Sequence, residues 1–243
     1  SGRHAEAIPE LQRVVELARL LGKPEDERLA LNQLGDSHLA TGDHAGALAA
    51  YESALQLGRA AENRTGQSVS LTGIGRARQR LDQPDAALAA YNEALAIDRE
   101  LGDRPAERID YLTIASVQQD LGRSDEALAS LQQALTISRE LADDALVAST
   151  LGSIGNLYQE TDRNEQALEF YEQGLAMHAA AGPSASHATQ LENAAGALRT
   201  LERHAQALDY YERAAAMYQS LSLTADEATA VRGVARSLKA LER

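Results

Sequence analysis

Gly42-Asp43-His44-Ala45-Gly46-Ala47-Leu48-Ala49-Ala50-Tyr51-Glu52-Ser53-Ala54-Leu55 decides the fold, because it returns. Forty residues later stands Pro84-Asp85-Ala86-Ala87-Leu88-Ala89-Ala90-Tyr91-Asn92-Glu93-Ala94-Leu95, and further copies run Asp125–Leu135, Asn164–Leu175 and His204–Ala214. A fixed period of this size marks stacked supersecondary units, each contacting its neighbours, rather than one globular core.

Glu27 to Gly66 serves as one unit. Its first segment carries Leu31, Leu34, Gly35, His38 and Leu39, the spacing of an amphipathic helix. Thr41-Gly42-Asp43 breaks it, with Gly42 suited to a left-handed C′ position and Asp43 to capping the next helix. The second segment carries Ala47, Leu48, Tyr51, Ala54, Leu55 and Leu57, again with helical spacing. Each unit is therefore a helix–turn–helix hairpin. One column of the first helix reads Leu31, Leu71, Tyr111, Leu151, Leu191, Val231, and a small column reads Gly35, Gly75, Ala115, Gly155, Ala195, Ala235. Gly costs about 1 kcal/mol inside a helix, so its return implies a close helix–helix approach. Small columns of the second helix, Ala47/Ala87/Ala127/Ala167/Ala207 and Ala54/Ala94/Ala134/Gly174/Ala214, flank a large one: Tyr51, Tyr91, Leu131, Tyr171, Tyr211. A ring between small positions fills the groove of a facing helix.

The pattern resembles the tetratricopeptide repeat, W-x2-L-G-x2-Y followed by A-x3-F. Leu31-x2-Leu34-Gly35-x2-His38 with Ala47-x3-Tyr51 matches it, and Leu151-x2-Ile154-Gly155-x2-Tyr158 with Ala167-x3-Tyr171 matches more fully. The Trp column departs, and the period is 40 rather than 34 residues, which places the extra residues in the second helix and its exit loop. The resemblance implies an all-α, right-handed α-α superhelical solenoid of about twelve antiparallel helices. It spans 1–243 as one domain: half repeat 1–26, full repeats 27–66, 67–106, 107–146, 147–186 and 187–227, and a half repeat or cap 228–243. Val231, Val234, Leu238 and Leu241 share one face of that last helix, and Arg232, Arg236, Lys239 and Arg243 another, so it is amphipathic, as a cap should be. The half-unit phase at both ends suggests an array serving a larger protein.

The resemblance also implies that first helices line a concave surface, with exposed positions one, five, eight and nine residues after the Leu31 column. Those columns vary while the packing columns do not. They supply the candidate partner-binding residues Arg76, Arg80, Gln119, Asn156, Gln159, Arg199, Arg232, Arg236 and Lys239. Arg76/Arg80 and Arg232/Arg236/Lys239 each share a helix face, and guanidinium forks pair with carboxylates, so the expected partner is a protein or peptide, and an acidic one matches these forks. Asn156 stands where long-repeat relatives set Asn against peptide backbone.

Composition narrows the classes. The 243 residues contain no Cys, which excludes disulfides, thiolate metal sites and cysteine nucleophiles. A net charge of −13 disfavours nucleic acid and anionic membranes as partners. No apolar run spans a bilayer, and Ser1-Gly2-Arg3-His4 does not open a signal peptide, so a cytoplasmic location is expected. Gly73-Ile74-Gly75 imitates a dinucleotide loop but falls mid-helix in the register. His4, His44 and His204 occupy one column of three separate units and cannot share a metal ion, whose ligands lie about 2 Å away. No enzyme, metal or cofactor is expected. The leading expectation is a non-catalytic interaction scaffold binding a peptide or partner domain in its concave groove. The alternatives are a regulatory or sensor domain of a larger bacterial signalling or effector protein, and a structural protein that self-associates through its half-repeat ends.

Overall fold

The structure, a computed structural model, describes residues 2–178 and 183–242, and every regular element among them is an α-helix. One compact unit, residues 1–121, contains α1 (Gly2–Leu20), α2 (Pro24–Thr41), α3 (His44–Ala60), α4 (Arg64–Arg80), α5 (Pro84–Leu101) and α6 (Arg104–Asp120). A second, residues 122–243, contains α7 (Ser124–Glu140), α8 (Asp144–Glu160), α9 (Asn164–His178), α10 (Ala185–Thr200), α11 (His204–Ser220) and α12 (Thr224–Leu241). Within each unit, consecutive helices pack on one another as in a tetratricopeptide-like solenoid.

The local tile is half the sequence period. Left-handed backbone recurs at Gly22, Gly42, Glu62, Asp82, Gly102, Gly122, Ala142, Asp162, Glu202 and Ser222, always at multiples of twenty residues. Each such residue turns the chain after a helix. After eight of the ten, the next N–H reaches back to a carbonyl five residues earlier, as in Asp43 N to His38 O and Asn63 N to Gly58 O, both 2.9 Å. Asp43 and Asn63 next cap the following helices, each side chain accepting from a glycine N–H, Gly46 and Gly66 respectively. The extra residues of the long repeat are thus not confined to the second helix and its exit loop. The two helices α3 and α4 are both 17 residues long.

The packing columns behave as their residue types demand. Tyr51 is 1% exposed. A Cβ at Gly35 would stand 2.6 Å from its ring, and one at Gly73 would stand 2.5 Å from it. The ring is thus clamped between α2 and α4. Gly75 likewise makes room for Tyr91, and Gly155 for Tyr171, where an added Cβ would come within 2.5 Å. Both glycines of Gly73-Ile74-Gly75 therefore lie inside α4 and admit tyrosine rings rather than phosphate. Around Tyr51, the side chains of Ala47, Leu55, Leu71, Ile74, Ala94 and Ile97 close a buried cluster.

The apolar face of α12 is only partly covered. Val231, Leu238 and Leu241 are 50%, 46% and 49% exposed, whereas Ala230, Gly233 and Ser237 are buried. Apolar periodicity identifies a stripe but not the side on which a neighbour lies. In earlier units the same column, Leu71 for instance, sits between second helices on both sides; among the described residues α12 packs only against α10 and α11.

Candidate functional site

Tyrosine hydroxyls organise the variable columns of the first helices. Three of these buried rings, Tyr51, Tyr91 and Tyr171, pass between helices and deliver the hydroxyl to a polar side chain of the preceding first helix. Tyr51 donates to Asp36 Oδ1 at 2.7 Å, and Tyr91 donates to Gln79 Oε1 at 2.6 Å. Burial is the main cause that raises both phenols, Tyr91 to about 12, so they stay neutral donors at physiological pH. A carboxamide whose oxygen is taken in this way keeps its NH2 as a donor.

In the first unit these positions line a groove of about 1010 Å³. Its walls carry Asp36, Leu39 and Ala40 from α2, Arg76, Gln79 and Arg80 from α4, and Asp120 at the end of α6. Arg76 and Arg80 are therefore brought together, but not as two equivalent forks. Arg76 Nη2 lies 2.9 Å from Asp36 Oδ1, and its guanidinium sits 5.9 Å from the centroid of the Tyr51 ring. Both partners of that ion pair are about half exposed, so it orients the side chain more than it stabilises the fold. Arg80 is exposed and engages no other described residue; the same holds for Asp120. Two acids and two bases leave the lining formally neutral, which differs from the basic groove expected for an acidic partner. The signal available in the sequence was the coincidence of the Tyr column with the Asp36/Arg76 column. It shows its meaning only once the rings are oriented.

The second unit arranges the same columns around amides. Tyr171 O–H lies 2.7 Å from Asn156 Oδ1 and 2.9 Å from Gln159 Oε1. Asn193 Nδ2 also donates to Asn156 Oδ1, at 3.0 Å. The oxygen of Asn156 is thus already satisfied, which leaves its NH2 as the group with hydrogen bonds to give. Asn156 and Asn193 line a smaller cavity of about 240 Å³ with Ser149, Ser153, Ser186 and Gln190. The remaining candidates join neither site. Gln119 is half-buried on α6, and Arg199 is exposed in the last turn of α10. Arg232 donates to Thr229 Oγ1 at 2.8 Å, and its charge also acts on Glu192. Arg236 and Lys239 are exposed on α12, and Arg243 lies outside the described residues.

Two buried titratable clusters lie away from these surfaces. In the first unit Asp98 and Asp110 are buried together, and Ser68 Oγ donates to Asp98 Oδ2 at 2.7 Å. Burial, then the charge of Asp98 and a hydrogen bond to it, and then Glu107 and Asp103 push Asp110 up to about 8. Glu107 is itself ion-paired with Arg104 and Arg99. In the second unit the rings of His178 and His187 stack 5.0 Å apart. Burial, and then the charge of His187, hold His178 below the usual imidazole value. His38 is half-buried and places Nδ1 2.8 Å from Asp43 Oδ2. No group of three or more His, Asp or Glu among the described residues could hold a metal ion, and none of their helices is long and apolar enough to cross a membrane.

The packing and its register are those of a helical repeat protein built from paired antiparallel helices. The tetratricopeptide repeat family model matches residues 1–60, 26–100 and 107–180, and the chain belongs to that family. Among solved structures, BtubC (BKLC) from P. vanneervenii is similar with a TM-score of 0.78 at 19% identity, over 90% of this chain and 92% of that one. A signal-transduction ATPase of the STAND type with a tetratricopeptide repeat sensor, from Pyrococcus horikoshii, aligns with a TM-score of 0.69 at 20% identity, over 96% of this chain and 36% of that one. A Rap protein complexed with Competence and Sporulation Factor aligns with a TM-score of 0.62 at 16% identity, over 99% of this chain and 72% of that one. At these identities the likeness is one of fold. No curated protein matches the chain significantly.

Proposed function

We propose that the protein is a non-catalytic scaffold whose first unit binds a peptide, or an extended segment of a partner protein, in the groove between α2, α4 and α6. The observation that carries this reading is the groove itself. Its volume of about 1010 Å³ is at the upper end of the roughly 300–1,000 Å³ of ligand clefts. Its walls combine apolar floor residues, Leu39 and Ala40, with side chains already oriented by buried tyrosines. Orientation before binding lowers the entropy lost on association. Tetratricopeptide repeats generally mediate protein–protein interaction, which supports the reading at the level of the family. Gln79 offers its NH2 to a peptide carbonyl, and Asn156 offers the same in the second unit as a subsidiary contact.

The repeat boundaries proposed from the sequence, with full units 27–66 through 187–227, place each of these residues on a first helix. A sensor role within a larger signalling protein is the second reading. It is favoured by the likeness to the STAND protein, whose tetratricopeptide repeat portion is a sensor. Both readings use the same groove.

Selection from a displayed library of random linear octapeptides tests the proposal. Ala40 is exposed on the groove wall, so Ala40→Trp fills the space without altering a charge. The expected result is enrichment of peptides that bind the native chain and lose about tenfold or more of their affinity for the variant. Equal binding to both would remove the groove from the interaction.

A further inference from the structure

The charges of the first unit's groove specify more than a peptide. Arg76 is matched within the fold: Asp36 neutralises it, and the Tyr51 hydroxyl holds Asp36 in place. Two charges of opposite sign remain on the same groove, Arg80 closing α4 and Asp120 closing α6. Both are exposed and neither is paired with the other or with any other described residue.

A ligand of one sign gains one of these charges and confronts the other. An acidic segment meets Arg80 as a partner and Asp120 as a like charge, and it also approaches a chain of net charge −13. A basic segment meets the reverse arrangement at the groove. Like charges brought together across a binding surface reject a ligand, whereas matched pairs fix its direction and register. A segment carrying both signs satisfies both ends and enters the field of the acidic chain with little net charge of its own.

We infer that the groove selects a zwitterionic peptide segment, with a carboxylate held by the Arg80 fork and an ammonium or guanidinium held by Asp120. The carboxylate comes from Asp, Glu or a chain terminus, and the planar guanidinium of Arg80 can grip it with two parallel hydrogen bonds. Between the two charged ends, the NH2 of Gln79 meets a backbone carbonyl, and Leu39 with Ala40 accommodates a small apolar side chain. Because the two anchors differ in sign, the segment binds in one direction along the groove.

This inference rests on the peptide reading above, and the octapeptide library separates the two. Selection is run on the native chain and on the charge-swapped double variant Arg80→Asp, Asp120→Arg. Both positions are exposed at helix ends, so the swap leaves the packing columns intact, and circular dichroism with thermal melting confirms that it folds. Peptides chosen by the native chain are expected to share one acidic and one basic residue at a fixed spacing. They should bind the swapped chain about tenfold more weakly, and the swapped chain should choose the opposite order of charges. Affinity should also fall between 50 and 500 mM salt for charged but not for uncharged peptides. Peptides that are blocked by Ala40→Trp yet lack the charge pair, or that tolerate the swap, would overturn the zwitterion assignment and leave the peptide reading standing. No enriched peptide at all would overturn the peptide reading itself.

Discussion

In the unit of residues 1–121, three of the five left-handed turn positions are Gly, namely Gly22, Gly42 and Gly102; in residues 122–243, one of the five described is, Gly122. Ala142, Glu202 and Ser222 adopt the same backbone in the second unit with a Cβ in the way. The buried ionisable groups differ as well. A carboxyl pair, Asp98 and Asp110, lies inside the first unit, and in the second a buried imidazole, His178, stacks on half-buried His187. Even the surfaces diverge, charges around Tyr51 in one and amides around Tyr171 in the other. One twenty-residue tile therefore supports two units with different tolerances. The tile fixes where helices start, stop and meet. What occupies its polar columns decides the response to pH and the ligand.

The strongest way to break this comparison is to overpack one clamp. Gly35→Leu drives a side chain into the Tyr51 ring and should cost the first unit about 3 kcal/mol or more. Hydrogen exchange should show lost protection in α2, α3 and α4 while α8 to α11 keep theirs. Equal loss in both units would mean that they unfold as one.

Alkaline titration comes next. The folded-state pKa of Asp110 lies above its unfolded value of about 3.9, so its contribution is complete below that value. That contribution is lost as pH rises through about 8. Asp110→Asn keeps the shape, offers an N–H to Asp98 and removes the second charge. It should raise the stability of the first unit at pH 9 by about 1–3 kcal/mol, with no gain at pH 4. Chemical denaturation at both pH values checks this, and an equal effect at both would show that the pair does not share a proton.

A smaller effect of opposite sense belongs to the second unit. The folded pKa of His178 is depressed, so its contribution is present above the unfolded value of about 6.5 and is lost as pH falls through the folded one. His178→Phe preserves the stacked ring and should flatten the acid limb of the second unit's melting curve, leaving the alkaline limb of the first unchanged. An acid limb of the original steepness would assign the sensitivity elsewhere. The smallest change is Ala142→Gly, which relieves the left-handed turn and should stabilise the second unit by about 0.5–1 kcal/mol in a thermal melt. Loss of stability there would mean that the turn carries no strain.

Much of this fold was legible because the repeat shows each column several times. Gly35, Gly75 and Gly155 facing Tyr51, Tyr91 and Tyr171 follow from small and large columns alternating in register. The opposite jaw of the clamp, Gly73, was not legible, because its column reads Gln33, Gly73, Thr113, Ser153, Asn193, Gly233 and shows no common size. The inner columns place Arg76 and Arg80 on one helix face. They could not show that Asp36 neutralises Arg76, since that depends on where the Tyr51 hydroxyl emerges. Asp98 and Asp110 lie on different helices, and only the packing of α5 against α6 brings them together. The partial exposure of the apolar face of α12 was not legible for a related reason: Val231 and Leu238 have helical spacing, but spacing does not reveal which side a neighbour covers.

The claim that the charged groove of the first unit is the binding site is tested most directly by side-chain NMR. A library-selected octapeptide is titrated into the full chain while the Arg Nε and Asn and Gln amide resonances are followed. The expected result is saturable shifts of Arg80 and Gln79, with Asn156, Gln159 and Asn193 of the second unit unmoved or responding only at much higher peptide concentration. Shifts confined to Asn156, Gln159 and Asn193 would contradict it and move the site to the amide face around Tyr171.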